Sequence, residues 1–263
     1  MITTDDGSPS LHHAGFGQAC HSTAGAWREA RETYAIGARL RERALAGEMR
    51  ECRLLDVATG LGWNLAAGLE ALDGTGCSLH AVALESDVRI LARAVGLARL
   101  GRGAGANPWW ELVADALERA LARPSATTSI AFAGARGSLR LLLGDARATL
   151  AHLADSEPGS RFDAVFLDPF SPAADPTLWE WPFLNRISEC MAPRALLVTY
   201  CAASRVRLGL ARAGLRVGRG PGLGAKAEGT VASHERDLPA LPARAAANLA
   251  RALAGQDSID PPS

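Results

Sequence analysis

Four carboxylates, Asp56, Glu85, Asp145 and Asp168, each close a short apolar run and each precede a turn or a helix. Open α/β sheets bind ligands outside the carboxyl ends of their strands, so acids placed in this way converge on one crevice. Asp168 is the most informative of them. The run Phe162–Leu167 is apolar with β-branched and aromatic members, which reads as a buried strand of a parallel sheet, and Pro169 stops the ladder immediately after the acid. Phe170, Pro172, Pro176 and Trp179 then wrap the carboxylate in rigid and aromatic groups. A single acid is thereby delivered to a reaction site. For Phe170, Trp179 and Trp181 the competing reading is core packing beneath a loop, and for the two tryptophans packing is the reading adopted.

The first acid opens Asp56-Val57-Ala58-Thr59-Gly60-Leu61-Gly62, between a strand and a helix. A glycine-rich turn in that context brings backbone close to a ligand, although an ordinary strand-to-helix turn has the same look. The spacing matches the D-x-G-x-G-x-G pattern of class I S-adenosylmethionine methyltransferases, with Ala58 in place of the first glycine. That replacement requires a backbone at Ala58 that avoids positive φ. Glu85, 29 residues after Asp56, stands where an acid accepts both hydroxyls of a ribose, while Ser86 or Asp87 caps the next helix. Asp145 and Ala146 offer a carboxylate and a backbone amide to an adenine ring, or a plain N-cap. A nicotinamide site would need a G-x-G-x-x-G pyrophosphate seat, which these residues do not supply.

The elements that must position these acids alternate. Strand Leu54–Val57, helix Asn64–Leu72, strand Leu79–Leu84 and helix Asp87–Leu100 form a β-α-β-α series, which argues for a doubly wound sheet. Helix Trp109–Leu121, short strands at Ser129–Phe132 and Leu139–Leu143, and helix Ala146–Leu153 follow. The Asp168 strand leads to helix Leu178–Met191, strand Leu196–Tyr200 and helix Ser204–Ala213. Strands Leu215–Val217 and Thr230–Ala232 form a reversed hairpin closing the sheet. Residues 1–50 read as an N-terminal extension with a helix over Trp27–Leu45, residues 51–234 as the main domain, and residues 235–263 as a surface helix over Leu238–Leu253 plus a disordered tail.

Composition narrows the function further. The chain has 263 residues, 48% of them hydrophobic, and a formal net charge of +0, so no broad cationic field draws nucleic acid. No apolar stretch approaches the roughly 20 residues of a membrane span, and the polar start has no signal-peptide core, so a cytoplasmic protein without a membrane anchor is expected. Five scattered cysteines without a C-x-x-C pair signal neither a disulfide framework nor a zinc site.

Four segments, the cofactor loop among them, resemble the MnmC-like methyltransferase family, which methylates 5-aminomethyl uridine at the tRNA wobble position. They are Asp6-Gly7-Ser8 with Cys20-His21-Ser22, Gly25-Ala26 and Glu29-Ala30; Asp56 to Asn64; Phe166 to Trp179; and Gly222 to Glu228. The resemblance covers about residues 6 to 233. Cys20, Ala58 and Ala227 stand where the family has Tyr, Gly and Arg. It implies a Rossmann-like class I methyltransferase fold, α/β, with a mostly parallel seven-stranded sheet, helices on both faces and an antiparallel last strand. It further implies S-adenosyl-L-methionine as cofactor, tRNA as partner and no metal. Asp56, Gly60, Gly62, Asn64, Glu85, Asp145, Ala146 and Asp168 would then hold the cofactor. Asp168 and Phe170 would act in catalysis, and His21, Tyr34, Pro169, Lys226 and Glu228 would meet the substrate, with the N-terminal extension as a lid.

Methyl transfer to an amine asks mainly for alignment and the exclusion of water. An alkyl amine with a reference pKa of about 10.4 must lose a proton first, and a carboxylate near about 3.9 is a weak base. Orientation of the nitrogen and stabilisation of its developing charge are therefore the expected first role of Asp168. Two rival readings share the sheet: an aminopropyltransferase of the spermidine synthase type, and a non-catalytic binding module.

Overall fold

A computed structural model describes residues 1–100, 107–124, 127–223 and 228–255. The chain opens with four two-residue strands, β1 (Ile2–Thr3), β2 (Pro9–Ser10), β3 (His12–His13) and β4 (Gln18–Ala19), paired as two small antiparallel ladders. Helix α1 (Ala26–Glu29) runs on into a wider π-helical turn over Ala30–Ala35, in which the Ile36 amide reaches back five residues to the Arg31 carbonyl. Arg39, at φ 51°, breaks the path before α2 (Leu40–Leu45). The single helix expected over Trp27–Leu45 is thus three pieces. Gly37 shows why: a Cβ there would lie 2.1 Å from the Thr33 carbonyl oxygen and 2.9 Å from Val198, so the chain turns where it presses on the sheet.

The central sheet is built from β5 (Glu51–Val57), β6 (Ser78–Glu85), β7 (Ile130–Ala131), β8 (Gly137–Leu143), β9 (Phe162–Leu167), β10 (Met191–Thr199), β11 (Arg216–Gly220) and β12 (Gly229–Ser233). Their spatial order is β11-β12-β10-β9-β5-β6-β8-β7. Strands β8, β6, β5, β9 and β10 are parallel, and β12 is inserted antiparallel between β10 and β11. This is the expected Rossmann-like class I sheet with its reversed closing hairpin, and it has one strand more than the seven that the resemblance implies, the extra one falling at the short strand expected over Ser129–Phe132. The eighth, β7, is a two-residue edge piece antiparallel to β8, formed by the hairpin at Ala131–Gly137.

Alternation along the strands sends side chains to two separate cores. Leu54, Ala81, Ala83, Phe166 and Val198 face α3 (Trp63–Leu72), α4 (Val88–Leu100) and α5 (Pro108–Ala122), together with the N-terminal helix. Leu55, Val57, Leu84, Val165, Leu167 and Leu197 face α6 (Ala146–Ser156), α7 (Trp181–Glu189) and α8 (Ser204–Arg212). Strands buried on both faces explain the continuous apolar runs of the sequence.

Three further boundaries differ from expectation. Glu180, extended at ψ 150°, separates a single 3₁₀ turn at Thr177–Trp179 from α7, so one expected helix is two. Met191 belongs to β10, whose register against β9 shifts between Met191 and Leu196. Pro239 and Pro242 keep residues 238–242 non-helical and delay α9 to Ala243–Ala254. The expected tail disorder falls almost wholly on residues 256–263, outside the described ones.

Candidate active site

The carboxyl ends of β5, β6, β8 and β9 surround one cavity of about 550 Å³. Ala58, Thr59 and Gly60 form one wall, Glu85 to Asp87 and Gly144 to Ala146 another, and Asp168 to Ser171 a third. The fourth comes from the N-terminal segment, through His13, Phe16, Gln18, Cys20, His21 and Glu29.

Asp168 is fixed from three sides. Its amide donates to the Val57 carbonyl at 3.1 Å, continuing the β5–β9 pairing by one residue. Its Oδ2 accepts from Asn64 Nδ2 at 2.9 Å, and its Oδ1 accepts a short hydrogen bond from the phenol of Tyr34. Burial and the nearby Glu29 charge hold its carboxyl well above the usual carboxylate range, although both hydrogen bonds pull the other way. Asn64 and Tyr34, expected to meet cofactor and substrate, both hydrogen-bond this carboxylate from behind the cavity wall. The Tyr34 ring reaches it from the π-helical turn and packs on Phe166 at 5.4 Å.

The loop behind Asp168 is held by its own backbone. Pro169 O accepts from Tyr200 Oη at 2.9 Å, and Phe170 O accepts from Trp179 Nε1 at 2.8 Å. Trp179 is buried, as expected, whereas Trp181 is 47% exposed and does not pack in the core, because α7 starts at this residue and turns its first side chain outward.

The glycine-rich turn has a left-handed backbone at Ala58, Gly60 and Gly62, with φ of 62°, 57° and 80°. Ala58 therefore adopts the conformation that its side chain was expected to avoid, at a strain of about 1–2 kcal/mol. Two hydrogen bonds keep it there, the Ala58 and Thr59 amides both donating to the Leu84 carbonyl, at 3.0 and 3.2 Å. Gly62 must stay small for another reason, since a Cβ would sit 2.9 Å from Val113 on α5.

Glu85 is buried, and its carboxylate accepts the amides of Gly60, Ser86 and Asp87 at 2.9, 2.8 and 2.9 Å. Of about four lone-pair positions on a carboxylate, three are used, and Glu85 remains on the cavity wall. Asp145 caps α6 through the Arg147 amide at 2.8 Å and pairs with the Arg147 guanidinium, so the cap reading is realised while Asp145 still lines the cavity. Asp56 is fully buried behind the turn. Neither of its carboxyl oxygens has a hydrogen-bond partner, and burial pushes its pKa up to about 7.

Of the remaining expected residues, His21 lines the cavity, bonds Ser10 at 3.0 Å and is pushed down to about 4 by burial, so its ring is neutral at pH 7. Glu228 is paired with the buried Arg207 at 2.9 Å and is not on the cavity wall. Lys226 lies outside the described residues. Sequence reasoning did not single out His13, Phe16 or Gln18 in the β3–β4 hairpin. Gln18 exchanges two hydrogen bonds with Ser171, at 2.8 and 3.3 Å, and His13 lies 3.4 Å from Asp87. No sequence periodicity marks such contacts, the first of which joins residues 153 positions apart. All five cysteines are free, and Cys20 is pushed up to about 11, so it is a thiol at neutral pH. Among the described residues no group of His, Cys, Asp and Glu is arranged to hold a metal ion, and no helix is long and apolar enough to cross a membrane.

A family model described as S-adenosyl-L-methionine-dependent methyltransferase matches residues 107–235. Over nearly the whole chain the fold is that of MnmC2 from Aquifex aeolicus, with a TM-score of 0.74 and 30% identity, covering 95% of this chain and 74% of that one. The chain belongs to the MnmC methyltransferase family. It is 32% identical over 232 residues to the tRNA 5-methylaminomethyl-2-thiouridine biosynthesis bifunctional protein MnmC of Azoarcus sp. (strain BH72), covering 84% of this chain and 33% of that protein. The protein of the same name from Aromatoleum aromaticum is 34% identical over 259 residues, covering 96% of this chain and 38% of that one. The chain thus spans little more than a third of the length of these curated relatives. The cofactor of the family is S-adenosyl-L-methionine.

Proposed function

We propose that this chain methylates the 5-aminomethyl group of a wobble uridine in tRNA, with S-adenosyl-L-methionine as methyl donor, and that it works in the cytoplasm, where tRNA is modified. The observation that carries the reading is a carboxylate at a strand end, clamped by Tyr34 and Asn64, on the same cavity as a left-handed strand-to-helix turn. Similarity to MnmC2 and to the curated MnmC proteins supports it over the aminopropyltransferase and binding-module readings.

The cavity fits the cofactor on its own geometry. Gly60, at positive φ, has only the Ala58 carbonyl oxygen within 4 Å of where a Cβ would be, so its backbone is open to a ligand. Glu85, pre-oriented by three amides, has acceptor capacity left for a ribose hydroxyl. Asp145 and the Ala146 amide, both on the cavity wall, would meet the adenine, and the buried Asp56 carboxyl with its unpartnered oxygens lies behind the turn. When bound, the cofactor supplies a methyl group on a positively charged sulfur, open to in-line attack by a nitrogen.

The work left to the chain is alignment, exclusion of water and handling of one proton. Asp168 has its oxygens fixed by two donors, so a substrate amine meets a carboxylate in one orientation. An ammonium group must give up a proton before its nitrogen can attack. The elevated proton affinity of Asp168 narrows the gap between a carboxylate and an amine, which makes it a better acceptor than a solvated carboxylate would be. As the nitrogen becomes cationic, neighbouring Glu29 adds negative charge to the same cavity. Phe170 packs beside the reacting group, and the N-terminal residues 1–50 act as the cover that keeps water out.

The test is mass spectrometry of wobble nucleosides from a strain lacking this chain. The expected result is accumulation of 5-aminomethyl uridine with loss of its N-methylated form. An unchanged nucleoside profile would overturn the proposal.

A further inference from the structure

Phe16 sits at the turn of the β3–β4 hairpin, and at 37% exposure it is one of the few large apolar side chains that the fold leaves open to solvent. Its ring lies 4.5 Å from that of Phe170, and His13 completes a cluster at 4.9 and 5.1 Å from the two phenylalanines. All three line the cavity that holds Asp168. The hairpin carrying Phe16 is tied down at both ends, by His13 to Asp87 on the cofactor side and by Gln18 to Ser171 on the Asp168 side. An exposed aromatic ring fixed at a cavity wall has a definite chemistry. It offers a flat π-face to another flat ring, and single-stranded RNA is held in this way by stacking of bases on aromatic side chains.

We propose that Phe16, backed by Phe170, is the platform on which the target pyrimidine of the RNA substrate stacks, which makes it a residue that sets substrate recognition. Phe16 and Phe170 are already in contact, so the base lies on the open face of Phe16 and not between the two rings. The 5-substituent of that base then extends past Phe170 toward Asp168, from the wall formed by the N-terminal hairpin to the wall that carries Phe170 and Asp168. Enzymes acting on a base of folded nucleic acid draw it out of its stack, and a platform of this kind replaces the stacking that is lost. This inference rests on the tRNA reading of the preceding section.

The test compares wild type, Phe16→Ala and Phe16→Trp, full chain in each case. Two binding constants are measured, for S-adenosyl-L-methionine by calorimetry and for tRNA isolated from cells lacking the methylation, along with methyl transfer to that tRNA. Phe16→Ala is expected to weaken tRNA binding about 5- to 100-fold, with cofactor affinity within about twofold of wild type, and Phe16→Trp to restore tRNA binding. Unchanged tRNA binding by folded Phe16→Ala overturns the inference, whether cofactor affinity is also unchanged, leaving Phe16 as packing, or falls, which would assign the ring to the cofactor adenine. A wild type that binds tRNA without methylating it would overturn the proposed reaction, while the tRNA affinities of the variants would still decide the platform. A wild type that does not bind tRNA would overturn both.

Discussion

The Tyr34 phenol donates to Asp168 Oδ1 across 134 positions of sequence, and it does so from a π-helical turn that widens the first helix where it crosses the sheet. The extra residue in that turn aims the ring at the strand end. Such turns interrupt α-helices frequently at functional sites. The hydrogen bond fixes the orientation of the carboxylate and lowers its proton affinity against the opposing effect of burial. Tyr34→Phe keeps the ring and removes the donor. A hydrogen bond to a charged group is worth about 1.5–3 kcal/mol, so methyl transfer is expected to slow by roughly 10- to 100-fold with cofactor affinity little changed. Single-turnover rates beside calorimetry separate the two effects.

Gly37 is the hinge that lets this helix lie against β10. A methyl group at that position meets the Thr33 carbonyl oxygen at 2.1 Å, which no side-chain movement relieves. Gly37→Ala is expected to destabilise the fold by about 1–3 kcal/mol and to lower turnover by displacing Tyr34. Urea denaturation and turnover measured on the same preparation check this, and an unaltered midpoint would show that the helix shifts without penalty.

Ala58 carries strain at φ 62° that a glycine would not. Replacing it relieves about 1–2 kcal/mol of left-handed strain and returns about 0.5–1 kcal/mol through the greater freedom of glycine in the unfolded chain. Ala58→Gly is therefore expected to raise stability by about 0.5–1 kcal/mol, visible as a higher urea midpoint with unchanged slope. Cofactor affinity should hold, because the turn already has the left-handed form.

Asp56 makes stability depend on pH in an unusual direction. Its folded pKa of about 7 exceeds the ordinary value of 3.8, so between those values the folded chain binds the proton that the unfolded chain has released. More protons bound in the folded state mean that the contribution of Asp56 to stability is present at low pH and is lost as pH rises through about 4 to 7. Asp56→Asn removes this dependence. Denaturation midpoints of the ligand-free proteins should shift in favour of the variant between pH 5 and pH 8, and parallel curves would show that Asp56 is not desolvated.

These positions also mark the reach of the sequence. The strand ends bearing Asp56, Glu85, Asp145 and Asp168 were legible because strands buried on both faces are continuous apolar runs, and an acid with a following turn residue marks where each stops. The closing hairpin was legible from the two short segments Leu215–Val217 and Thr230–Ala232, although β11, Arg216–Gly220, is half exposed and is not a continuous apolar run. The strain at Ala58 was not, since φ follows from the two amides that bond to Leu84 on the next strand. Nor was the fate of Glu228, in the loop before β12, whose partner Arg207 lies on α8. The β3–β4 hairpin escaped because strands of two residues have no period to read, and its partners Asp87 and Ser171 are distant in sequence. Trp181 misled for a local reason: the break at Glu180 turned an expected core residue into the exposed start of a new helix.

The most direct test of Asp168 as the group that receives the amine is methyl transfer in vitro. Wild type and Asp168→Asn are incubated with S-adenosyl-L-methionine and with tRNA whose wobble uridine carries an unmethylated 5-aminomethyl group, and the nucleosides are analysed by mass spectrometry. Wild type should convert that nucleoside to its N-methyl form, and Asp168→Asn should lose most of the turnover while binding the cofactor within a few fold of wild type. Equal turnover by the two proteins, or no conversion by wild type, would contradict the role assigned to this carboxylate.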